Sequence, residues 1–240
     1  MSGKIIRILH LYSRDMNIYG DHGNVLTLQR RIEWYGYKTQ LIEYNPGDRF
    51  PDDVDIIVGG GGQDSGQNKI QKDLLSIGSH LRRLADDGTP MLVICGLYQL
   101  FGKFFKTSSG EIIEGIGLFD IETFGESERL IGNVITQSEQ FGDIIGYENH
   151  SGQTFLGDRV IALGTVILGV GNNVNDGSEG ARYKNVIGSY LHGSLLPKNP
   201  KIADFLIRQA IVKKYGTFNG KNIDDNFTEL ARDVALKQHR

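Results

Sequence analysis

The sequence predicts one α/β domain of three layers, with helices covering a mostly parallel central sheet that has a partly antiparallel extension. In the first hundred residues, strand and helix patterns alternate in the order β-α-β-β-α-β. The segment PMLVIC is almost wholly apolar, which is typical of a strand covered on both faces of a parallel sheet. From about residue 105, short β-like pieces separated by glycines favour the antiparallel extension.

The strands of the first half are predicted from apolar and β-branched runs. They cover residues 4–12, 39–44 and 54–62, before the PMLVIC strand at 90–95. The third run ends in four glycines, which weaken a strand and are typical of a place where a ligand or another loop comes close to the backbone.

Helices are predicted where apolar residues recur at steps of three and four. One covers 21–36, beginning at an aspartate that can cap it and ending at a glycine. A second runs through Ile70 and Leu84 and stops at Gly88 and Pro90. Residues 197–216 form the closing helix, and 221–240 a charged helix or arm.

Composition and charge exclude several classes of protein. With 39% hydrophobic and 23% charged residues, the chain is typical of a soluble globular domain, and its net charge of -3 gives no reason to expect nucleic acid or an anionic membrane as partner. The single cysteine cannot form an internal disulfide, and no apolar run reaches the length of a membrane span. We expect a cytoplasmic protein.

Cys95 lies in VICGLYQLFG, where an apolar strand turns through a glycine into a helical pattern. A strand, a nucleophile, a tight turn and a helix form a nucleophile elbow, which exposes the side chain and directs the first N–H groups of the helix towards it. Free cysteines are also among the most buried residues, so the cysteine alone favours core packing. Other groups must decide between the two interpretations.

A thiol nucleophile needs a base, and His192 in SYLHG follows another strand-like run. Because the carboxyl ends of parallel strands meet at one edge of a sheet, the two residues can come together there. His22 and His150 are the competing histidines. Backbone N–H groups for an oxyanion are available at Gly96 and in the glycine run that ends the 54–62 strand.

Several stretches together resemble one family. VICGLYQLFG resembles the cysteine elbow of class I (triad) glutamine amidotransferases, which have a flavodoxin-like fold, and GGGGQDSGQ and SYLHG resemble the cobyric-acid-synthase-like branch. Within that branch the chain is similar to the glutaminase subunits of lipid II isoglutaminyl synthases, through NIYGDHGNVLTLQRRIEWYG, ERLIGNV, YENHSGQT and YLHGSLLPKNP. The similarity runs from about residue 9 to 216 and implies an amidotransferase domain at 1–216 with a helical arm at 217–240.

The resemblance also implies roles for individual residues. Cys95 would attack the glutamine amide and His192 would transfer the proton. Gly61 and Gly96 would donate to the oxyanion, Arg129 would bind the α-carboxylate of glutamine, and Gln99 would hydrogen-bond the substrate or the elbow.

The same resemblance implies a partner. Ammonia would pass to a Mur-ligase-like, ATP-dependent synthetase subunit (MurT) in a heterodimer, which amidates the D-glutamate α-carboxyl of the lipid II stem peptide. The chain itself would hold no cofactor or metal, and ATP and Mg²⁺ would be bound by the partner.

Two positions depart from the family pattern. Leu97 replaces the second glycine of the usual Cys-Gly-Gly-Tyr-Gln, where its side chain would crowd the elbow or the pocket. Ser194 stands where many amidotransferases have a glutamate, two residues after the histidine. We therefore expect this chain to bring no carboxylate to the imidazole, to receive an aspartate from its partner and to be weakly active alone.

Three alternatives compete with this interpretation; the first is disfavoured by the length of the chain, and the other two stay open. A corrinoid-precursor amidotransferase would carry its synthetase domain on the same chain, for which 240 residues leave no room. A thiol hydrolase of the dienelactone type would need a third catalytic member within the chain. If the chain is instead a non-catalytic binding subunit, Leu97 marks a former catalytic site that has been lost.

Overall fold

The computed structural model describes residues 3–238, so residues 239 and 240 of the predicted arm lie outside the described part. The strands are β1 (Ile5–Leu11), β2 (Lys38–Tyr44), β3 (Ile56–Gly59), β4 (Met91–Ile94), β5 (Phe104–Lys106), β6 (Ile112–Glu114), β7 (Ile121–Ser138), β8 (Gly142–Leu156), β9 (Gly164–Leu168), β10 (Ser178–Glu179), β11 (Ala181–Tyr183) and β12 (Val186–Ser189). The helices are α1 (His22–Trp34), α2 (Asp64–Asp86), α3 (Gly96–Leu100), α4 (Leu195–Lys198), α5 (Pro200–Tyr215) and α6 (Asn226–Gln238).

The central sheet has the strand order β11-β12-β4-β3-β1-β2. Its pairs are parallel, except that β11 runs antiparallel to β12. Every residue of β3, β4 and β12 is buried, as the unbroken apolar runs predict for strands covered on both faces. The predicted α/β fold is confirmed.

The glycine-rich half of the chain differs from expectation in how its strands pair. Two of its strands join the central sheet, β12 parallel to β4 and β11 antiparallel to β12. The other pieces form a second sheet in the order β10-β9-β7-β5-β6, with β8 paired to β7. The hairpin of β7 and β8 dominates it, and β7 runs through Gly125 and Gly132 without a break. The register shifts between Gly125 and Leu130, which displaces residues 126–129 from the ladder.

The predicted closing helix is two helices, because Asn199 leaves the helical conformation between α4 and α5. Pro200 begins α5, and Gly216 ends it with a φ of 81°. Arg31 of α1 joins the C-terminal part to the domain through ion pairs of 2.8 Å with Asp204 and 2.7 Å with Asp225.

The fold brings two chain segments to one edge of the central sheet. β4 and β12 are parallel neighbours that pair Ser189 with Ile94, so the residues after them emerge side by side. Cys95 follows the first strand and His192 comes three residues after the second.

Candidate active site

Cys95 occupies a strained turn. Its φ of 48° and ψ of -105° lie in a region that residues with a side chain rarely adopt. The backbone is held there by the Cys95 N–H, which donates to the Ser189 carbonyl at 2.8 Å, and by the start of α3 at Gly96. This is the strand-turn-helix geometry of a nucleophile elbow, and the 8% exposed side chain lines a cleft.

His192 lies against the same turn. Both His192 and Cys95 lie next to the backbone of Gly61. A Cβ atom added to this glycine would lie 2.7 Å from the His192 Cε1 atom and 3.1 Å from the Cys95 Cβ atom, so the imidazole and the cysteine lie close together. The ring of Tyr19 packs edge-on against the imidazole, with 4.9 Å between the centroids. Within the described residues the buried Nε2 atom has no hydrogen-bond partner.

Asp21 supplies a carboxylate to this histidine. Its Oδ1 atom lies 3.4 Å from His192 Nδ1, and its Oδ2 atom accepts the Gly61 N–H at 2.7 Å. The expectation that the chain brings no carboxylate to the imidazole is therefore wrong. Ser194, which replaces the expected glutamate, instead donates its hydroxyl to the Gly20 carbonyl at 2.7 Å and so holds the segment that carries Asp21.

The surroundings of His192 favour its protonated form. Burial opposes a charge on the ring, but Cys95 and Asp21 outweigh burial and together raise the pKa of His192 to about 10. The imidazole therefore holds its proton at neutral pH and can give it to a leaving group.

Arg129 reaches the cleft from the displaced segment of β7. Its Nε and Nη2 atoms donate to the Asn149 Oδ1 atom at 3.1 and 2.7 Å. Among the described side chains no carboxylate forms an ion pair with it. The guanidinium is oriented by an amide and keeps its charge for a ligand.

Gln99 is placed behind the elbow. Its Oε1 atom accepts from Gln67 Nε2 at 2.6 Å, and its Nε2 atom donates to the Tyr190 hydroxyl at 3.1 Å. Of the two roles considered for Gln99, these contacts correspond to bracing the elbow, although the side chain also forms part of the cleft lining.

The two predicted oxyanion donors differ in availability. Gly96 directly follows the nucleophile at the start of α3. The Gly61 N–H is already donated to Asp21, so it would have to exchange that bond before it reached a substrate oxygen. Gly62 lines the cleft. Its backbone nitrogen is close to Gly96, since it would lie 3.0 Å from a Cβ atom added to that glycine. Gly62 is thus an additional candidate donor that the sequence did not single out.

Leu97 does not line the cleft. Its side chain is fully buried and fills the space left by the missing side chain of Gly59. Of the competing histidines, His150 also lines the cleft, where its ring stacks on Tyr190 at 3.6 Å between centroids. His22 is not among the cleft-lining residues and lies beside His10, at 5.3 Å between centroids.

The cleft has a volume of about 510 Å³ and is lined from both sheets. Within residues 3–238, no group of three or more His, Cys, Asp and Glu side chains is placed to hold a metal ion. Across the same residues, every helix is too short or too polar to cross a membrane.

Relatives with known names match most of the chain. Lipid II isoglutaminyl synthase (glutamine-hydrolyzing) subunit GatD from Staphylococcus aureus strain N315 is 38% identical over 232 residues, which cover 96% of this chain and 95% of the relative. The protein of the same name from Streptococcus pneumoniae strain R6 is 39% identical over 214 residues, covering 88% and 82%. A probable cobyric acid synthase from Methanothermobacter thermautotrophicus is 34% identical over 156 residues, covering 59% of this chain and 31% of the relative.

A solved structure described as a glutamine amidotransferase shares the fold, with a TM-score of 0.57 and 15% identity over 84% of this chain and 98% of that one. Residues 7–200 match the family model of the CobB/CobQ-like glutamine amidotransferase domain. That match, together with relatives that are similar over nearly the full length, shows that the chain is an enzyme of the CobB/CobQ-like glutamine amidotransferase family.

Proposed function

We propose that this chain is the glutaminase subunit of a lipid II isoglutaminyl synthase. It hydrolyses L-glutamine through a cysteinyl thioester and delivers ammonia to a Mur-ligase-like synthetase subunit (MurT). The observation that carries the reaction is the strained Cys95 beside His192 and Asp21, in a cleft that also presents the unpaired Arg129. The acceptor follows from the near full-length similarity to two chains that bear the lipid II synthase name.

The first half-reaction forms the thioester. With the Cys95 proton held by His192, the Cys95 sulfur attacks the side-chain amide carbon of glutamine. The carbonyl oxygen becomes an oxyanion that the N–H groups of Gly96 and of the glycine loop at residues 59–62 stabilise. When the C–N bond breaks, His192 gives its proton to the leaving nitrogen, which departs as ammonia. Asp21 stabilises the protonated imidazole that precedes this step.

The second half-reaction releases glutamate. His192, now neutral, takes a proton from a water molecule whose oxygen attacks the thioester carbon. The C–S bond then breaks, glutamate leaves and the Cys95 sulfur is restored for the next turnover.

The synthetase chemistry belongs to the partner in this proposal. The partner of a heterodimer would bind ATP and Mg²⁺, activate the D-glutamate α-carboxyl of lipid II and accept the ammonia, in the cytoplasm. The cobyric acid synthase reading has less support, because this chain covers only 31% of such a relative. The thiol hydrolase gains a third member in Asp21, and the need for glutamine distinguishes it from the proposal.

The proposal is tested by labelling with the glutamine analogue 6-diazo-5-oxo-norleucine, followed by intact-mass analysis, with and without a co-expressed synthetase partner. We expect one adduct in the wild type, none in Cys95→Ala and less in Arg129→Ala, and more adduct when the partner is present. No adduct in either condition, while a small alkylating reagent still modifies the Cys95 thiol, would show that the glutamine pocket is absent.

A further inference from the structure

We propose that Asp64 binds the α-ammonium group of the substrate and makes the cleft specific for an α-amino acid. This inference rests on the proposed glutaminase function and deepens it. It assigns a second charged contact to the substrate, in addition to the α-carboxylate contact of Arg129.

The charges of the cleft carry the argument. Among the described residues that line it, Asp64 is the one carboxylate and Arg129 the one arginine or lysine. Both residues are exposed, and neither charge is neutralised within the described part of the chain: the Arg129 guanidinium donates only to Asn149, and the Asp64 carboxylate forms neither a hydrogen bond nor an ion pair. Two unpaired, opposite charges that share one cleft match a zwitterionic ligand.

The fold gives these charges separate supports. Asp64 is the first residue of the 23-residue helix α2, whose positive end favours an ionised carboxylate. The glycine loop that packs on Cys95 and His192 leads directly into this helix. Arg129 comes from β7 in the second sheet, so two elements of different sheets present the two charges around the nucleophile.

The chemistry of glutamine fits this arrangement. Its α-carbon carries a carboxylate and an ammonium group, and the reacting amide lies at the other end. A guanidinium suits the carboxylate, and a carboxylate oxygen makes a strong, charge-assisted hydrogen bond with an ammonium group. Contacts at the thiol, Arg129 and Asp64 fix three points of the substrate, which is the number needed to distinguish the L from the D enantiomer.

The experiment compares L-glutamine with 4-carbamoylbutanoate, which is glutamine without its α-amino group, as substrates of the chain in complex with its synthetase partner. In Asp64→Asn we expect kcat/KM for glutamine to fall about tenfold, mainly through KM, because a charged hydrogen bond contributes roughly this factor. The value for 4-carbamoylbutanoate should not change. Asparagine is also tolerated at a helix start, so the melting temperature should be retained.

Glu128→Gln is the matched control. It removes the same charge from a carboxylate next to Arg129 that faces the neighbouring shallow depression and not the cleft. We expect neither substrate to be affected. Equal losses for both substrates in Asp64→Asn, or a selective loss in Glu128→Gln, would overturn the assignment. A wild-type complex that hydrolyses no glutamine would instead overturn the proposed function and, with it, this inference.

Discussion

The two carboxylate oxygens of Asp21 contact two different parts of the candidate catalytic site. One oxygen faces the imidazole of His192 and the other holds the backbone of Gly61. The orientation of the base and the position of the glycine loop therefore depend on one side chain, which is 1% exposed. In the proposed reaction, a change at Asp21 would disturb both proton transfer by His192 and the glycine loop beside the thiol.

We predict that Asp21→Asn lowers kcat of glutamine hydrolysis about 100-fold, because the amide cannot stabilise the protonated imidazole. Asp15→Asn is the matched control, since Asp15 lies on the same segment and, among residues 3–238, forms an ion pair only with the exposed Lys69. Steady-state kinetics with and without the partner measure the effect. Full activity of Asp21→Asn in the complex would show that a partner carboxylate, and not Asp21, serves His192.

The same substitution has a consequence for stability. The pKa of His192 is about 10 in the folded chain and 6.5 in its unperturbed state, so protonation of the ring favours folding. This contribution is complete below pH 6.5 and is lost as the pH rises towards 10. Urea unfolding should show a smaller decline over this range in Asp21→Asn than in the wild type, because the pKa of its histidine is raised less.

Strand-end reasoning was sufficient to suggest that Cys95 and His192 meet, because each follows an apolar run that forms a buried parallel strand. Asp21 could not be found in this way. It lies 171 positions before the histidine, and its sequence context predicts a helix cap rather than a carboxylate that faces the imidazole. The role of Arg129 in substrate binding was implied by the family resemblance alone. An arginine in a glycine-containing stretch is by itself expected to be a solvated surface charge.

At the scale of elements, the elbow depends on close packing between α3 and β3. Leu97 fills the space beside Gly59 and is completely buried. The absence of a side chain at Gly59 on the neighbouring strand therefore leaves room for Leu97. The Leu97 side chain is thus packed in the core and does not enter the cleft.

We predict that Leu97→Ala lowers the free energy of unfolding by about 3 kcal/mol, because it leaves a cavity, and that it does not increase glutaminase activity. Leu75→Ala, at a 39% exposed position of α2, should change stability little. Urea unfolding and a glutaminase assay on both variants give the comparison. A more active Leu97→Ala enzyme of unchanged stability would mean that Leu97 obstructs the pocket.

The second sheet was the element least accessible from the sequence. Gly125 and Gly132 look like breaks between short strands, yet both lie within the 18-residue β7. At Gly125 the backbone of Ser108 would lie 2.9 Å from an added Cβ atom, so this glycine allows close approach of another segment. β7 pairs with β8 along most of their length. This pairing depends on contacts between the two strands, which the local sequence pattern of either strand does not predict.

At the scale of the whole molecule, the C-terminal segment is attached to the domain at several points. Asp225 pairs with the buried Arg31, and Phe218 packs on Tyr35 with 5.0 Å between the ring centroids. Arg232 of α6 donates to the carbonyl of Asp143 at 2.7 Å. These contacts lie beyond the predicted boundary at residue 216, which stays a prediction.

We predict that a chain ending at Gly216 still folds but loses about 3 kcal/mol of unfolding free energy, the combined effect of lost aromatic packing and a lost ion pair. Urea unfolding of residues 1–216 and of the full chain measures this difference. Phe227→Ser in the full chain is the control, because Phe227 is 88% exposed and should contribute nothing. An unfolded 1–216 chain would place the boundary after α6.

The cleft is lined by residues of both sheets. Cys95 is fixed to the central sheet and Arg129 to the displaced segment of β7 in the second. In the proposed reaction a substrate held at its α-carboxylate must span this gap to bring its amide to the sulfur. Asparagine is one methylene group shorter than glutamine, so its amide would stop short of the thiol. The packing of one sheet on the other thus sets the distance between the thiol and the guanidinium, and with it the length of the substrate that fits. Each residue added to or removed from the β7 bulge would change this distance.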